Sequence, residues 1–164
     1  MSAFVVAIGA SGPIAERRVA AAIALLREEP LLRVIAESDG YENPAVGGVT
    51  VARFVNAAAL VESALAPRAL LEVLRAVETR LGRVRGQRDG ARAVDLDLVF
   101  GLALVAPIVD PDVPHPRALA RDFVVLPALQ TLMRAGVPAP APLVEAARRL
   151  SFGARLVPVA LGPS

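Results

Sequence analysis

Seven residues at the N-terminus, AFVVAIG at 3–9, are short, β-branched and closed by Gly9, a pattern that predicts a buried strand. The turn ASGP follows at 10–13, and then apolar residues recur at helical spacing from Ala15 to Glu29. Val19, Ile23 and Leu26 form that helix's stripe, and Pro30 stops it. Strand-like alternation returns at 31–39, the Pro/Gly-rich YENPAVGG at 41–48 reads as a loop, and 49–63 reads as a long strand. Pro67 opens a second helix over 67–81 with Leu70, Leu71, Leu74, Val77 and Leu81 on one face, and Gly82 caps it. Residues 94–100 alternate apolar and acidic positions at the two-residue period of a strand, which puts Asp95 and Asp97 on one face.

The remaining pattern predicts a partner strand in LALVAPI at 102–108 and a Pro-braced extended piece at 110–123. A short helix broken near Pro127 follows over 118–134, then a linker at 137–142, a helix at 143–150 and a closing strand at 154–161. Strands lie next to strands as often as to helices, so the expected fold class is α+β, with a largely antiparallel sheet in preference to a doubly wound parallel one. No repeat or composition shift divides residues 1–164, so one domain is expected.

Composition narrows the chemistry. The sequence has no cysteine, which excludes disulfides, thiolate nucleophiles and sulfur-ligated metals. All its basic side chains are arginine, which removes Schiff-base chemistry and the lysine-dependent phosphate loop. His115 is the sole histidine, so paired-histidine metal sites are excluded as well. Formal net charge is only +2 and aromatics are scarce, which argues against a nucleic-acid-binding face. No apolar run approaches the roughly 18 residues of a spanning helix, and the first residues read as a strand and not a leader. A cytoplasmic location is the expectation.

The most informative stretch is 82–101, GRVRGQRDGARAVDLDLVFG. Its first half carries Arg83, Arg85, Arg88 and Arg92 among glycines; its second half is the acidic strand. Asp95 and Asp97 have Cα atoms roughly 6.6 Å apart at strand rise. Mg2+ accepts one or two protein carboxylates and shares its other positions with water and substrate phosphates, while arginines neutralise the remaining phosphate charge. A half-exposed strand beside a solvated arginine loop has the same pattern. Elsewhere, Asn56 between Val55 and Ala57 either caps a backbone kink or binds a ligand. His115, followed by Arg117 and Arg121, is either a satisfied structural histidine or a phosphate donor. Glu72 and Glu78 with Arg75 read as surface pairs.

Two motifs, Arg92-Ala-Val-Asp95-Leu-Asp97-Leu98 and Pro114-His115-Pro116-Arg117, resemble those of the 6-hydroxymethyl-7,8-dihydropterin pyrophosphokinases of folate biosynthesis. GRVRG at 82–86, FVNAA at 54–58 and Arg121-Asp-Phe123 fit the same family, and the likeness spans roughly residues 4–130. The resemblance implies a ferredoxin-like fold in three layers (α, β, α). It also implies transfer of diphosphate from ATP to the pterin hydroxymethyl group, leaving AMP, with two Mg2+ ions. By position, Asp95 and Asp97 resemble the metal-bridging carboxylates, and Arg83 and Arg92 the arginines that close over the triphosphate. Arg85, Arg88, His115 and Arg121 resemble ATP contacts, and Glu78 a polar residue near the nucleotide. Phe54 and Phe123 resemble the aromatic pair around the pterin, and Asn56 the amide that reads its edge beside backbone groups near Pro44 and Val46. A monomer acting on pterin and ATP, with no nucleic-acid or membrane partner, is implied.

The chain also departs from the family pattern. Gly-Ser-Asn is Gly9-Ala10-Ser11, Arg-Trp-Gly-Pro-Arg is Arg88-Asp89-Gly90-Ala91-Arg92, and Tyr-x-Thr-x-Pro is Tyr41-Glu42-Asn43-Pro44-Ala45. Asp112 stands where a hydroxyl is usual. These changes motivate a second reading, a relative that binds pterin or nucleotide with little turnover.

Overall fold

The computed structural model describes residues 1–43, 53–82, 94–102, 108–109, 112–150 and 157–161. In chain order its elements are β1 (Ser2–Ser11), α1 (Ala15–Glu28), β2 (Arg33–Glu37), β3 (Gly40–Asn43), β4 (Phe54–Ser63), α2 (Pro67–Arg80) and β5 (Asp95–Gly101). They continue with β6 (Ile108–Val109), β7 (Asp112–Val113), a 3-10 turn at Ala118–Ala120, α3 (Asp122–Arg134), α4 (Ala141–Arg149) and β8 (Val157–Val159). The main sheet runs β5-β1-β4-β3-β8, with β2 beside β3 on the same flank of β4, and every pairing is antiparallel. Strands β2 and β3 behave as one interrupted strand. Across the gap, the Ser38 N–H donates to the Ala58 carbonyl and the Ser38 Oγ accepts the Ala58 N–H, each at 2.9 Å. The sequence of elements from β1 to β5 is therefore β-α-β-β-α-β, the ferredoxin-like motif.

Alternation along the central strands divides the apolar residues between two faces. Phe4, Val6 and Ile8 of β1, with Ala57, Ala59 and Val61 of β4 and Leu96 and Leu98 of β5, pack against α1 and α2. Val5, Ala58, Leu60, Val99 and Phe100 pack against α3 and α4 through Val125, Ala128, Leu132 and Leu143. Each fully buried Leu or Val contributes about 1.5–3 kcal/mol of transfer free energy. Helices thus cover both faces, and the layers are those the resemblance implied.

Several boundaries differ from the sequence reading. β1 continues through Gly9 to Ser11, because β4 pairs with it along its whole length, and the chain turns instead at Gly12 with φ +101°. Tyr41 to Asn43 belong to β3 and not to a loop: pairing with Phe54 to Asn56 outweighs the turn-rich composition that follows. Residues 49–52 and 154–156 of the two expected strands lie outside the described residues. So do 103–107 of LALVAPI; its last residue, Ile108, begins β6, which pairs with β7. Pro127 does not break α3. An interior proline costs about 3 kcal/mol, and burial of Val124, Val125, Ala128 and Leu132 on the same helix offsets it.

A polar latch ties α3 to the β2–β3 gap. Arg134 donates to Asp39 Oδ1 at 2.7 Å, and Gln130 donates to Asp39 Oδ2 at 2.7 Å while accepting the Asp39 N–H at 2.8 Å. The hydrogen bonds from Arg134 and then Gln130 hold the Asp39 carboxyl below its ordinary range. A carboxylate depressed in the folded state contributes stability that is complete above its unfolded pKa and lost as pH falls through the folded one. The melting temperature of the wild type should therefore exceed that of Asp39→Asn at neutral pH, and the gap should close below about pH 4. A gap independent of pH between 7 and 3 would refute the latch.

Candidate active site

β5 flanks the sheet and pairs with β1, with Asp95 opposite Gly9 and Asp97 opposite Ala7. Leu96 and Leu98 are buried toward α1 and α2, so the alternating Asp95 and Asp97 are turned to the opposite face, both partly exposed. From α2 the buried Glu78 reaches this strand, and its Oε1 accepts the Leu96 N–H at 2.7 Å. That carboxylate supplies the partner that the open side of an edge strand lacks. Glu72 and Arg75 do form the expected surface pair, but Glu78 does not join it as a surface group: burial and the Leu96 bond hold it against β5.

Outside β5 lies a cleft of about 490 Å3, lined by Leu71, Arg75 and Glu78 of α2, Asp95 to Leu98, Asp112, His115 and Pro116. The His115 N–H donates to the Val99 carbonyl at 2.9 Å, which fixes the Pro-flanked turn against β5, and its Nδ1 accepts the Arg117 N–H at 3.3 Å.

Inside β5, the same face of the sheet carries a cross-strand row. Asp95, Gly9, Asn56 and Tyr41 lie opposite one another across β5, β1, β4 and β3, and residues directly opposite share a face. The next row is Asp97, Ala7 and Ala58; the preceding one is Ser11, Phe54 and Asn43. Between the acids and Asn56 the floor is therefore Gly9 and Ala7, with almost no side chain standing above the backbone. Phe54 is 38% exposed at the far side of this floor. Phe123, at the start of α3, packs on the same face, and the Arg121 guanidinium stands 5.6 Å from its ring centroid in a cation–π contact. Arg53 anchors the start of β4 by pairing with Glu16 of α1 and, at 2.8 Å, with Glu42 of β3.

The structure thus groups Glu78, Asp95, Asp97 and His115 around the cleft, and sets Asn56, Phe54 and Phe123 on the adjoining sheet face. Arg83, Arg85, Arg88, Arg92, Pro44 and Val46 lie outside the described residues. Leu71, Arg75 and Pro116 line the cleft without having been singled out for it. Arg75 and Glu78 are three apart on α2, a spacing that puts them on one helix face and was the available signal.

Comparison with known proteins decides the family. The family model for 7,8-dihydro-6-hydroxymethylpterin-pyrophosphokinase matches residues 5–133. The chain belongs to this family. It is 37% identical over 123 residues to the 2-amino-4-hydroxy-6-hydroxymethyldihydropteridine pyrophosphokinase of Pseudomonas aeruginosa, covering 74% of this chain and 75% of that enzyme. The same-named enzyme of Bacillus subtilis is 34% identical over 122 residues, 74% of this chain and 73% of the relative. That of Methylorubrum extorquens is 37% identical over 112 residues, with 66% and 69% covered.

The donor set suits the pyrophosphokinase family's chemistry. Among the described residues no group of three or more His, Cys, Asp or Glu side chains is placed to hold a metal ion. Two carboxylates two residues apart, beside an open cleft, fit a hard cation that keeps positions for phosphate oxygens and water. Among the described residues no helix is long and apolar enough to cross a membrane.

Proposed function

We propose that this chain transfers the terminal diphosphate of ATP to the hydroxymethyl arm of 6-hydroxymethyl-7,8-dihydropterin, releasing AMP, in folate biosynthesis. One observation carries the reading: the acids and Asn56 lie on one face with only the glycine–alanine floor of β1 between them. Two strand spacings separate β5 from β4, on the order of 10 Å. That is the length scale of a bicyclic ring bearing a one-carbon arm. A pterin with its lactam edge on Asn56 would project its hydroxyl toward Asp95 and Asp97, where the triphosphate arrives from the cleft.

In this reading the pterin hydroxyl oxygen bonds to the β-phosphorus of ATP, the bond from that phosphorus to the α–β bridging oxygen breaks, and the hydroxyl proton is released. Phosphoryl transfer of this kind needs positioning and charge neutralisation more than covalent chemistry. Asp95 and Asp97 would hold two Mg2+ ions, which when bound neutralise phosphate charge and align the β-phosphorus. Arg83 and Arg92 close over the triphosphate, with Arg85, Arg88, His115 and Arg121 as further nucleotide contacts. Glu78 acts from behind β5, keeping the two aspartates in register. Asn56 pairs its amide with the lactam N–H and C=O of the ring, Phe54 and Phe123 stack on it, and backbone groups at Pro44 and Val46 complete the edge. The whole operates as one unit on two small molecules.

The reading predicts AMP formation that requires ATP, the hydroxymethylpterin and a divalent cation together, with EDTA abolishing it. Nucleotide analysis by ion-exchange chromatography checks this, and AMP released at the same rate without any pterin would overturn it. Asp112, a fourth carboxylate on the cleft wall beside Glu78, Asp95 and Asp97, favours the weaker-turnover reading. Tight ligand binding by calorimetry with no AMP formed would favour that alternative.

A further inference from the structure

Arg53 is the residue before Phe54, and its side chain is committed on the other side of the sheet. Its Nε donates to Glu42 Oε2 of β3 at 2.8 Å, and its Nη1 donates to Glu16 of α1. Its backbone carbonyl accepts the Gly12 N–H, at the turn between β1 and α1, at 2.9 Å. Glu42 stands opposite Val55, which packs against α1 and α2, so the fork lies on the α1 face, behind Phe54 and Asn56. Isolated exposed ion pairs contribute little, but networks of them hold geometry. Here three side chains, only 29–34% exposed, are joined to one another across α1, β3 and the start of β4.

We infer that Arg53 is a positioning residue for the pterin: from behind the sheet it sets the first residue of β4, and with it the ring of Phe54. The inference rests on the proposed stacking role of Phe54. β4 begins at Phe54, which pairs with Ser11 on one side and Asn43 on the other. The end of a strand is where its ladder frays, and a ring 38% exposed has less packing to hold it than the core residues have. The fork counters that fraying by tying residue 53 at once to the neighbouring strand and to the helix behind. A guanidinium suits this task, because its Nε and Nη1 point in different directions within one rigid plane and each carboxylate has its own nitrogen. A lysine offers one point charge on a flexible stem. The cleft beside β5 lies two strand spacings from β4, about 10 Å, so the effect belongs to the pterin and not to the nucleotide.

The test uses the full chain and calorimetry. It measures the Kd of 6-hydroxymethylpterin with a non-hydrolysable ATP analogue and Mg2+ present, and the Kd of that analogue alone. Arg53→Met keeps the stem and removes both pairs; it should weaken the pterin about fivefold, the scale of partly exposed ion pairs, and leave the analogue unchanged. Arg53→Lys keeps the charge and should restore little of that loss. In a Phe54→Ala background Arg53→Met should have no further effect, because what the fork holds is already gone. Melting temperatures show whether each variant is folded at the assay temperature. If Arg53→Met is not, Glu42→Gln, which opens one arm of the fork, should show a smaller loss of the same kind. Unchanged pterin affinity, an equal loss for the analogue, full recovery by lysine, or a loss that persists without Phe54 would each overturn the inference. Phe54→Ala tests the underlying reading separately: unchanged pterin affinity there would remove the stacking role and the fork's role together. A loss there with none at Arg53 would remove only the fork.

Discussion

Asp97→Asn is expected to lower kcat by at least a thousandfold while leaving the melting temperature within a few degrees of wild type. The substitution keeps the shape of a side chain that is partly exposed on the sheet face, and partly exposed positions tolerate isosteric changes better than buried ones. Activity has more at stake, because an amide binds a hard cation far less well than a carboxylate, and the charge facing the β-phosphorus would go uncompensated. A thousandfold loss corresponds to about 4 kcal/mol of transition-state stabilisation. Rapid-quench measurement of AMP at saturating ATP and pterin separates this from weakened binding, and raising Mg2+ should recover part of the rate. A variant with more than a tenth of wild-type kcat would show that Asp97 does not carry the metal, and the assignment of the acidic strand would have to be abandoned.

Glu78→Leu is expected to act in the opposite order, on the fold first and on catalysis through it. Leucine comes close to the glutamate in size but leaves the Leu96 N–H without its carboxylate partner. An unpaired buried donor costs about 1–3 kcal/mol, more when the lost acceptor was charged. Urea unfolding should show that loss in the midpoint without a change in slope. kcat should fall as β5 loosens and the two aspartates leave register. Glu78→Gln, which retains an acceptor oxygen at the same reach, should recover most of the stability and much of the rate. If leucine and glutamine behave alike in both measurements, the bond to Leu96 is not what holds the strand.

The two halves of the site were unequally legible in the sequence. The acidic strand announced itself because a two-residue period with buried Leu96 and Leu98 leaves Asp95 and Asp97 only one face to occupy. His115 in its Pro-flanked setting and Asn56 between apolar neighbours each stood out as polar residues with two readings open, and only the family resemblance gave either a ligand to bind. Tyr41 to Asn43 were hidden, because what makes them a strand is β4, which comes later in the chain, while Pro44, Gly47 and Gly48 beside them speak for a loop. The role of Glu78 was hidden for a related reason. Local spacing offers it Arg75 as a partner, whereas the structure turns it to a backbone N–H 18 residues away. The continuity of α3 through Pro127 belongs to the same class: intrinsic preference lost to burial against a sheet that no window around residue 127 contains.

The bare stretch of β1 at Ala7 and Gly9 has a consequence for compounds aimed at this enzyme. An inhibitor lying across it would rest on main chain, which mutation cannot trim away. Escape would require added bulk at either position, and any group that lifts the drug from that surface would also lift a pterin bound as proposed.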